Sequence, residues 1–271
     1  MNEILFKTNV GSHMWKMNNE NSDTDLFECY IMPTTEVLKG RVSGAHFIQD
    51  KENKIDIQRH EISKVTSEII KSNINYIQYV FSPIVLVGQE FLERYKQLAV
   101  KVISKKVYNS IHGLAIHNYK KYQLDLDDKL DTARWNKILR VIQFGINLMD
   151  WQKIEFEPFS NGSPDVYEVS MENLDYYKKN GNLQEEPLAE DVENLWDFVV
   201  NERIKRLNGH RNEQILTTEV ADKLKIKALE TTKENEKLCK GCGYRQKEHK
   251  TENGRVFYRC ENETCELYHV W

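Results

Sequence analysis

Along the first third of the chain, apolar positions come in short β-branched and aromatic runs: EILFKTNV, then DLFECYIM after the turn-rich MNNENSD, and later GAHFIQD and KIDIQRHEI divided by KEN. Runs of that length, bounded by Asn, Asp and Ser, predict strands joined by tight turns. In the last of them Asp56 lies between Ile55 and Ile57, so the two-residue period of a strand turns its carboxylate away from its apolar neighbours. From about Glu61 the spacing lengthens to three and four, through EISKVTSEIIKSNINYIQYVF, QEFLERYKQLAVKVISKKVYNSIHGLAIHNYKKY and DTARWNKILRVIQFGINLM, which predicts a helical body. KIEFEP and DVYEVS flank the turn-rich FSNGSP and read as a hairpin over those helices. Helical spacing returns in PLAEDVENLWDFVVNERIKRL and NEQILTTEVADKLKIKALETTKENEKL, whose polar end reads as a linker into a cysteine-rich terminus.

The pattern has no internal repeat and no low-complexity tract. A chain of 271 residues, 40% hydrophobic and 30% charged, can bury a real core in one or two domains and still carry a small module. No stretch approaches the roughly 18 apolar residues of a membrane span, and MNEILFKTNVGSH lacks the apolar core of an export signal. The expectation is a cytoplasmic protein with no membrane partner. A net charge of -4 argues against coating nucleic acid by bulk charge but is compatible with a local basic groove.

The strongest chemical pattern is Gly11-Ser12, then a gap that becomes turn-prone, then Ser22-Asp23-Thr24-Asp25 running into Leu26 and Phe27. Two aspartates two apart on a strand project from one face and can share hard cations through oxygen. Asp56 on a neighbouring strand would complete a clamp for two divalent ions, with Glu61 the fallback. Gly11 lets the backbone approach a phosphate closely, and Ser12 at a helix start can donate to it. Spacing alone leaves a second reading open, in which SDTD is a surface turn and helix cap.

GSHMWKMNNENSDTDLFECYIM resembles the signature of the polymerase-β-type nucleotidyltransferases, Gly-Ser followed by a gap and an S-D-x-D-hydrophobic strand. IDIQRHEISKVTSEIIKSNINYIQYVFSP, VISKKVYNSIHGLAIHNYKKY and RWNKILRVIQFGINLM are similar to successive blocks of the bacterial and phage branch predicted to act in RNA repair, so the resemblance spans about the first 150 residues. It implies that Asp23, Asp25 and Asp56 hold divalent metal, Mg2+ or Mn2+, and that Gly11, Ser12 and Ser22 meet a nucleoside triphosphate. The chain departs from the family at Met14 and Lys16, where a small residue and a glycine are usual. It departs again at Asn73-Ile74-Asn75, which stands for Asn-Pro-Asn, and at Gln78, which stands for a glutamate.

In DTARWNKILRVIQFGINLM, Arg134, Lys137 and Arg140 recur every three positions on one side of a helix while Ile138, Val141 and Phe144 face the core. The commoner meaning of such a row is a solvated face. The family carries basic residues at about Lys137 and Arg140, which implies contact with triphosphate or acceptor strand, and Lys64 is a further nucleotide-binding candidate. Tyr108, His112 and His117 read as packing or surface residues.

Cys239-Lys-Gly-Cys242 and Cys260-x4-Cys265 are spaced as two pairs of metal thiolates, while Cys29 stands alone. In a reducing compartment, pairs of this kind coordinate zinc rather than form disulfides. KEHKTENGRVFYRC predicts a hairpin turning at Glu252-Asn253-Gly254 that brings the pairs together as a zinc ribbon, with His249 or His269 as substitute ligands. Arg245, Lys247, Lys250, Arg255, Tyr258 and Trp271 mix basic and aromatic groups there, which suits nucleic acid and suits a structural cap equally well.

The resulting expectation is an α+β protein with an N-terminal mixed-sheet nucleotidyltransferase core at 1–85, a helical domain with a hairpin at 86–235 and a zinc ribbon at 236–271. Its activity would be transfer of a nucleoside monophosphate from an NTP to a hydroxyl, releasing pyrophosphate, with Mg2+ (or Mn2+) and Zn2+ as cofactors. An RNA or DNA end is the favoured acceptor, RNA ahead of DNA. The alternatives are nucleotidylation of a protein or small molecule, and a catalytically silent nucleic-acid-binding protein.

Overall fold

The computed structural model describes residues 3–32, 46–124, 131–208, 246–250 and 256–260. The two opening apolar runs become β1 (Glu3–Asn9) and β2 (Thr24–Ile31), with a single turn of helix, α1 (Gly11–Met14), on the path between them. They are followed by β3 (His46–Asp50), β4 (Ile55–Glu61), α2 (Ile62–Ile70), α3 (Ile74–Phe81) and β5 (Val85–Val87). The helical body then comprises α4 (Gln89–Ala99), α5 (Val107–Leu124), α6 (Thr132–Trp151), α7 (Pro164–Asn180) and α8 (Ala189–Asn208).

The five-stranded sheet has the order β3-β4-β2-β1-β5. Every neighbouring pair is antiparallel except β2 and β4, which run parallel. The β3–β4 turn is held by Asp50, whose carboxylate accepts from the amides of Glu52 and Asn53, both at 3.1 Å, as the Asx turns favoured by Asp do. The face toward the helices is closed by Phe6, Phe27 and Cys29, all fully buried, against Ile62, Val65 and Ile69 of α2, Ile77 and Val80 of α3, and Leu92 and Tyr95 of α4. Apolar burial of this kind is the main force holding helices to a sheet.

Local chemistry sets the breaks. The run from Glu61 to Phe81 splits in two because Ser72 takes a left-handed conformation (φ 56°) and the Asn73 side chain accepts from the amide of Asn75, capping α3. Close packing of α5 on α6 depends on Gly145, where a Cβ would fall 2.1 Å from Cδ1 of Ile111.

The hairpin expected at KIEFEP and DVYEVS is not formed. Residues 152–163 are irregular, and DVYEVS is the first two turns of α7. The start signals outweigh the β-branched residues: Ser163 accepts from the amide of Val166, and Pro164 occupies the first helical position, where its missing N–H costs nothing. Phe156 in the irregular stretch is buried against Trp15 and Phe144, with ring centroids 5.0 and 5.2 Å apart.

The chain separates into two compact units, Met1–Asn212 and Glu213–Trp271. In the second, β6 (Gln246–Lys250) and β7 (Val256–Cys260) pair antiparallel, Gln246 opposite Cys260 and Lys250 opposite Val256, as the hairpin reading expected. Cys239, Cys242 and Cys265 lie outside the described residues, and the zinc-ribbon expectation with them. Among the described residues no helix is long and apolar enough to cross a membrane.

Candidate active site

The parallel pairing of β2 with β4 builds the site. The Thr24 amide donates to the Lys54 carbonyl at 2.7 Å, and this register sets Asp25 opposite Asp56 and Leu26 opposite Ile57. Partners in register point to the same face of a sheet, so the two carboxylates are neighbours. Asp23 lies just before β2 and is exposed, so the second aspartate of the S-D-x-D run, and not both, sits on the strand.

Opposite the aspartates the chain turns from β1 into α1. The Val10 amide donates to the Asp25 carbonyl at 2.8 Å, and Gly11 then takes φ 61°, a conformation that L side chains adopt only under strain. A Cβ on Gly11 would lie 1.9 Å from Asp25 Oδ2. The turn closes with the Lys16 amide on the His13 carbonyl and the Met17 amide on the Ser12 carbonyl. Lys16 sits at φ 56° in this turn, the left-handed conformation that a glycine adopts without strain. Trp15, buried against Phe144 and Phe156, fastens the turn to α6.

Together these elements enclose a cavity of about 210 Å³ with Asp25 and Asp56 in its lining. One wall comes from α1 and α6: Gly11, Met14, Trp15 and Arg140, whose guanidinium lies over the Trp15 ring at 5.2 Å. The other comes from β4 and α3: Gln58, Asn75, Gln78 and Tyr79. Burial raises the Asp25 carboxyl above its ordinary value, and the charges of Asp56 and then Asp23 raise it further, against the opposing pull of His13 and Arg140. This is a place that favours positive charge. Buried polar atoms here include His13 Nδ1 and Gln78 Nε2, for which the described residues provide no hydrogen-bond partner. Among those residues no three His, Cys, Asp or Glu side chains gather closely enough to hold a metal ion by themselves. The oxygen chemistry of the Asp25–Asp56 pair and the mutual repulsion around it suit a hard divalent cation.

Of the residues singled out by sequence, Gly11, Asp25, Asp56 and Arg140 line the cavity, and Asp23 is close enough to act on Asp25. Ser12 lies next to Gly11 in α1, while the Ser22 hydroxyl accepts from the Asn19 amide at 2.9 Å and holds the turn before β2. Lys137 is exposed on α6, and Lys64 is paired with Glu68 at 2.9 Å on α2; neither lines the cavity. Arg134 pairs with Asp131 at the start of α6. Glu61, the fallback for the third carboxylate, is bonded instead to the buried Arg203 and to the amide of Ser63, where it caps α2. Sequence reading did not single out His13, Trp15, Gln58 or Tyr79, whereas Met14, Asn75 and Gln78, named there only as departures from the family pattern, also line the cavity. Gln58 was within reach, since it follows Asp56 by two and shares its strand face.

A family model described as the RNA repair pathway DNA polymerase beta family matches residues 2–227. An uncharacterised protein of Methanocaldococcus jannaschii is 24% identical over 232 residues, which cover 84% of this chain and 93% of that relative.

Proposed function

The chain belongs to the RNA repair pathway DNA polymerase beta family, and from that premise we propose that it is a nucleotidyltransferase that moves a nucleoside monophosphate from an NTP to a hydroxyl, with an RNA end as the favoured acceptor. The observation that carries the reading is Asp25 standing opposite Asp56 in the parallel register, with Gly11 pressed against Asp25. In the reaction the acceptor oxygen bonds to the α-phosphorus, the bridge to the β-phosphate breaks, pyrophosphate leaves and the hydroxyl proton is released.

Asp25 and Asp56, with Asp23 near enough for its charge to act on Asp25, are the residues that would hold Mg2+ or Mn2+, and such ions neutralise triphosphate charge and acidify a bound hydroxyl. The protein's own groups orient the substrate. The left-handed turn at Gly11 removes the side chain that would block approach to Asp25. Ser12 and Arg140 supply donors and positive charge on the same side, suited to phosphate oxygens. Trp15, fixed by Phe144 and Phe156, keeps the Arg140 guanidinium in place through a cation–π contact. For Lys64 and Lys137 the reading is contact with substrate phosphates outside the cavity.

In the second unit we read Cys239, Cys242, Cys260 and Cys265 as ligands of one structural zinc, on the strength of their spacing and of the β6–β7 pairing between the two pairs. A module of that kind suits a macromolecular acceptor.

The test is incubation of the full chain with each α-labelled NTP, Mg2+ or Mn2+, and a mixed RNA pool. Label on RNA, lost in Asp25→Asn and Asp56→Asn, is the expected result. Label on the protein itself or on a small molecule would move the acceptor to another class. No transfer with any NTP, alongside retained nucleic-acid binding, would leave a silent binding protein.

A further inference from the structure

The two walls of the cavity differ in charge. Arg140 and the turn at Gly11 lie on one side, whereas Gln58, Asn75, Gln78 and Tyr79 on the other are all uncharged. Asn75 and Gln78 are three apart on α3 and share one helical face, Asn75 exposed and Gln78 only 7% exposed. Tyr79 and Gln58 hydrogen-bond with each other, and the Tyr79 ring stacks on Phe27 at 4.8 Å, so that pair is already engaged. Gln78 is the exception on this wall: it lines the cavity, and its buried Nε2 donor has no acceptor among the described residues.

A donor removed from water and given no acceptor costs stability, so its position against a cavity points to a ligand that supplies the acceptor. Triphosphate carries several negative charges and belongs on the cationic side. A neutral amide facing an uncharged acceptor is the chemistry of a nucleoside, either a sugar hydroxyl or the N or O edge of a base. We infer that Gln78 is the specificity-determining contact of the bound nucleotide, donating from Nε2 to an uncharged acceptor atom of its nucleoside. This rests on the nucleotidyltransferase reading above. An amide at this position offers a donor without adding a further negative charge beside Asp25 and Asp56.

The experiment compares binding of NTPs and of inorganic tripolyphosphate to the full-length wild type and to Gln78→Met, which keeps length and volume but removes the donor. NTP affinity is expected to fall roughly three- to tenfold, the worth of one neutral hydrogen bond, with tripolyphosphate affinity unchanged. The melting temperature of the ligand-free variant should be level or higher, because an unsatisfied donor has been removed. Gln78→Leu repeats the test if methionine is not accepted. A penalty that vanishes with 2′-deoxynucleotides assigns the acceptor to the sugar, and one confined to particular bases assigns it to the base edge; either supports the inference. Unchanged NTP affinity, or equal losses for NTP and tripolyphosphate, overturns it. A wild type that binds no NTP would instead overturn the underlying reading.

Discussion

Gly11 and Asp25 are in contact so close that any side chain at position 11 is excluded: the Cβ of an alanine would sit 1.9 Å from Asp25 Oδ2. The glycine backbone also lies at φ 61°. Left-handed conformation alone costs an L residue about 1–2 kcal/mol. Gly11→Ala is therefore expected to cost stability on that order and to abolish nucleotide transfer, because the simplest relief of the overlap is to push the Asp25 carboxylate away from Asp56. Thermal melts and label transfer on the same preparation check this. A variant that transfers at the wild-type rate would separate Gly11 from the chemistry.

A second prediction concerns acid stability. His60 is buried at 8% exposure with Nδ1 2.8 Å from the Tyr76 hydroxyl. Burial, aided by Lys64, lowers its pKa from 6.5 to about 4. Above pH 6.5 the ring is neutral in both the folded and the unfolded chain. As pH falls from 6.5 toward 4, the unfolded chain takes up a proton that the fold refuses, so stability falls, by up to about 3 kcal/mol once the lower value is passed. His60→Gln keeps a hydrogen-bonding side chain without a titrating ring and should flatten the slope in that window. The carboxylates of Glu28, Glu68 and Glu202, held below their ordinary values by Lys and Arg partners, lose their contribution at lower pH still and should be untouched. Denaturant midpoints measured every half unit of pH decide it.

The residues behind these two predictions were not equally visible in the sequence. Asp25, Asp56 and the strands that carry them could be read, because a period of two and the flanking Leu26 and Ile57 leave little choice of face. The parallel pairing of β2 with β4 could not, since strand order is decided by tertiary packing and not by local pattern. DVYEVS misled because Val166 and Val169 favour strands, while the deciding signal was the Ser163-Pro164 pair before them. The cavity wall of Asn75, Gln78 and Tyr79 is assembled from a helix joined to β4 by Tyr76 on His60 and Tyr79 on Gln58, with Ile77 and Val80 buried behind it, residues that sequence spacing marks as core without saying which core.

Arg203 of α8 offers a third test, one of architecture. It is 4% exposed and donates to Glu61, to the Ser63 hydroxyl at 2.8 Å and to the Met32 carbonyl at 3.2 Å, tying the last helix of the first unit to the ends of β2, β4 and the start of α2. Removing one member of a buried ion pair leaves the other charge uncompensated, typically at about 3–5 kcal/mol. Arg203→Met should lose about that much in chemical denaturation. Adding Glu61→Gln should recover part of the loss, because the stranded charge is then gone. A double variant no better than the single would mean that packing, and not charge, is what Arg203 provides.

The last prediction concerns the second unit, where the four-cysteine reading requires about one zinc per chain in protein purified without chelator. Cys239→Ser or Cys265→Ser should release it, since a hydroxyl does not replace a thiolate on zinc at neutral pH. In modules this small, metal binding supplies on the order of 10 kcal/mol or more of the folding free energy, beyond what a few apolar contacts provide. The first unit, Met1–Asn212, has its own core in Phe6, Phe27, Ile62, Leu92 and Ile142, so metal loss should leave its melting unchanged. The two effects are separable by following zinc content and the thermal transition of the same variant. Zinc-free protein with a full complement of reduced thiols would remove the ligand assignment. Loss of zinc that drags down the main transition would show that the two units do not fold independently.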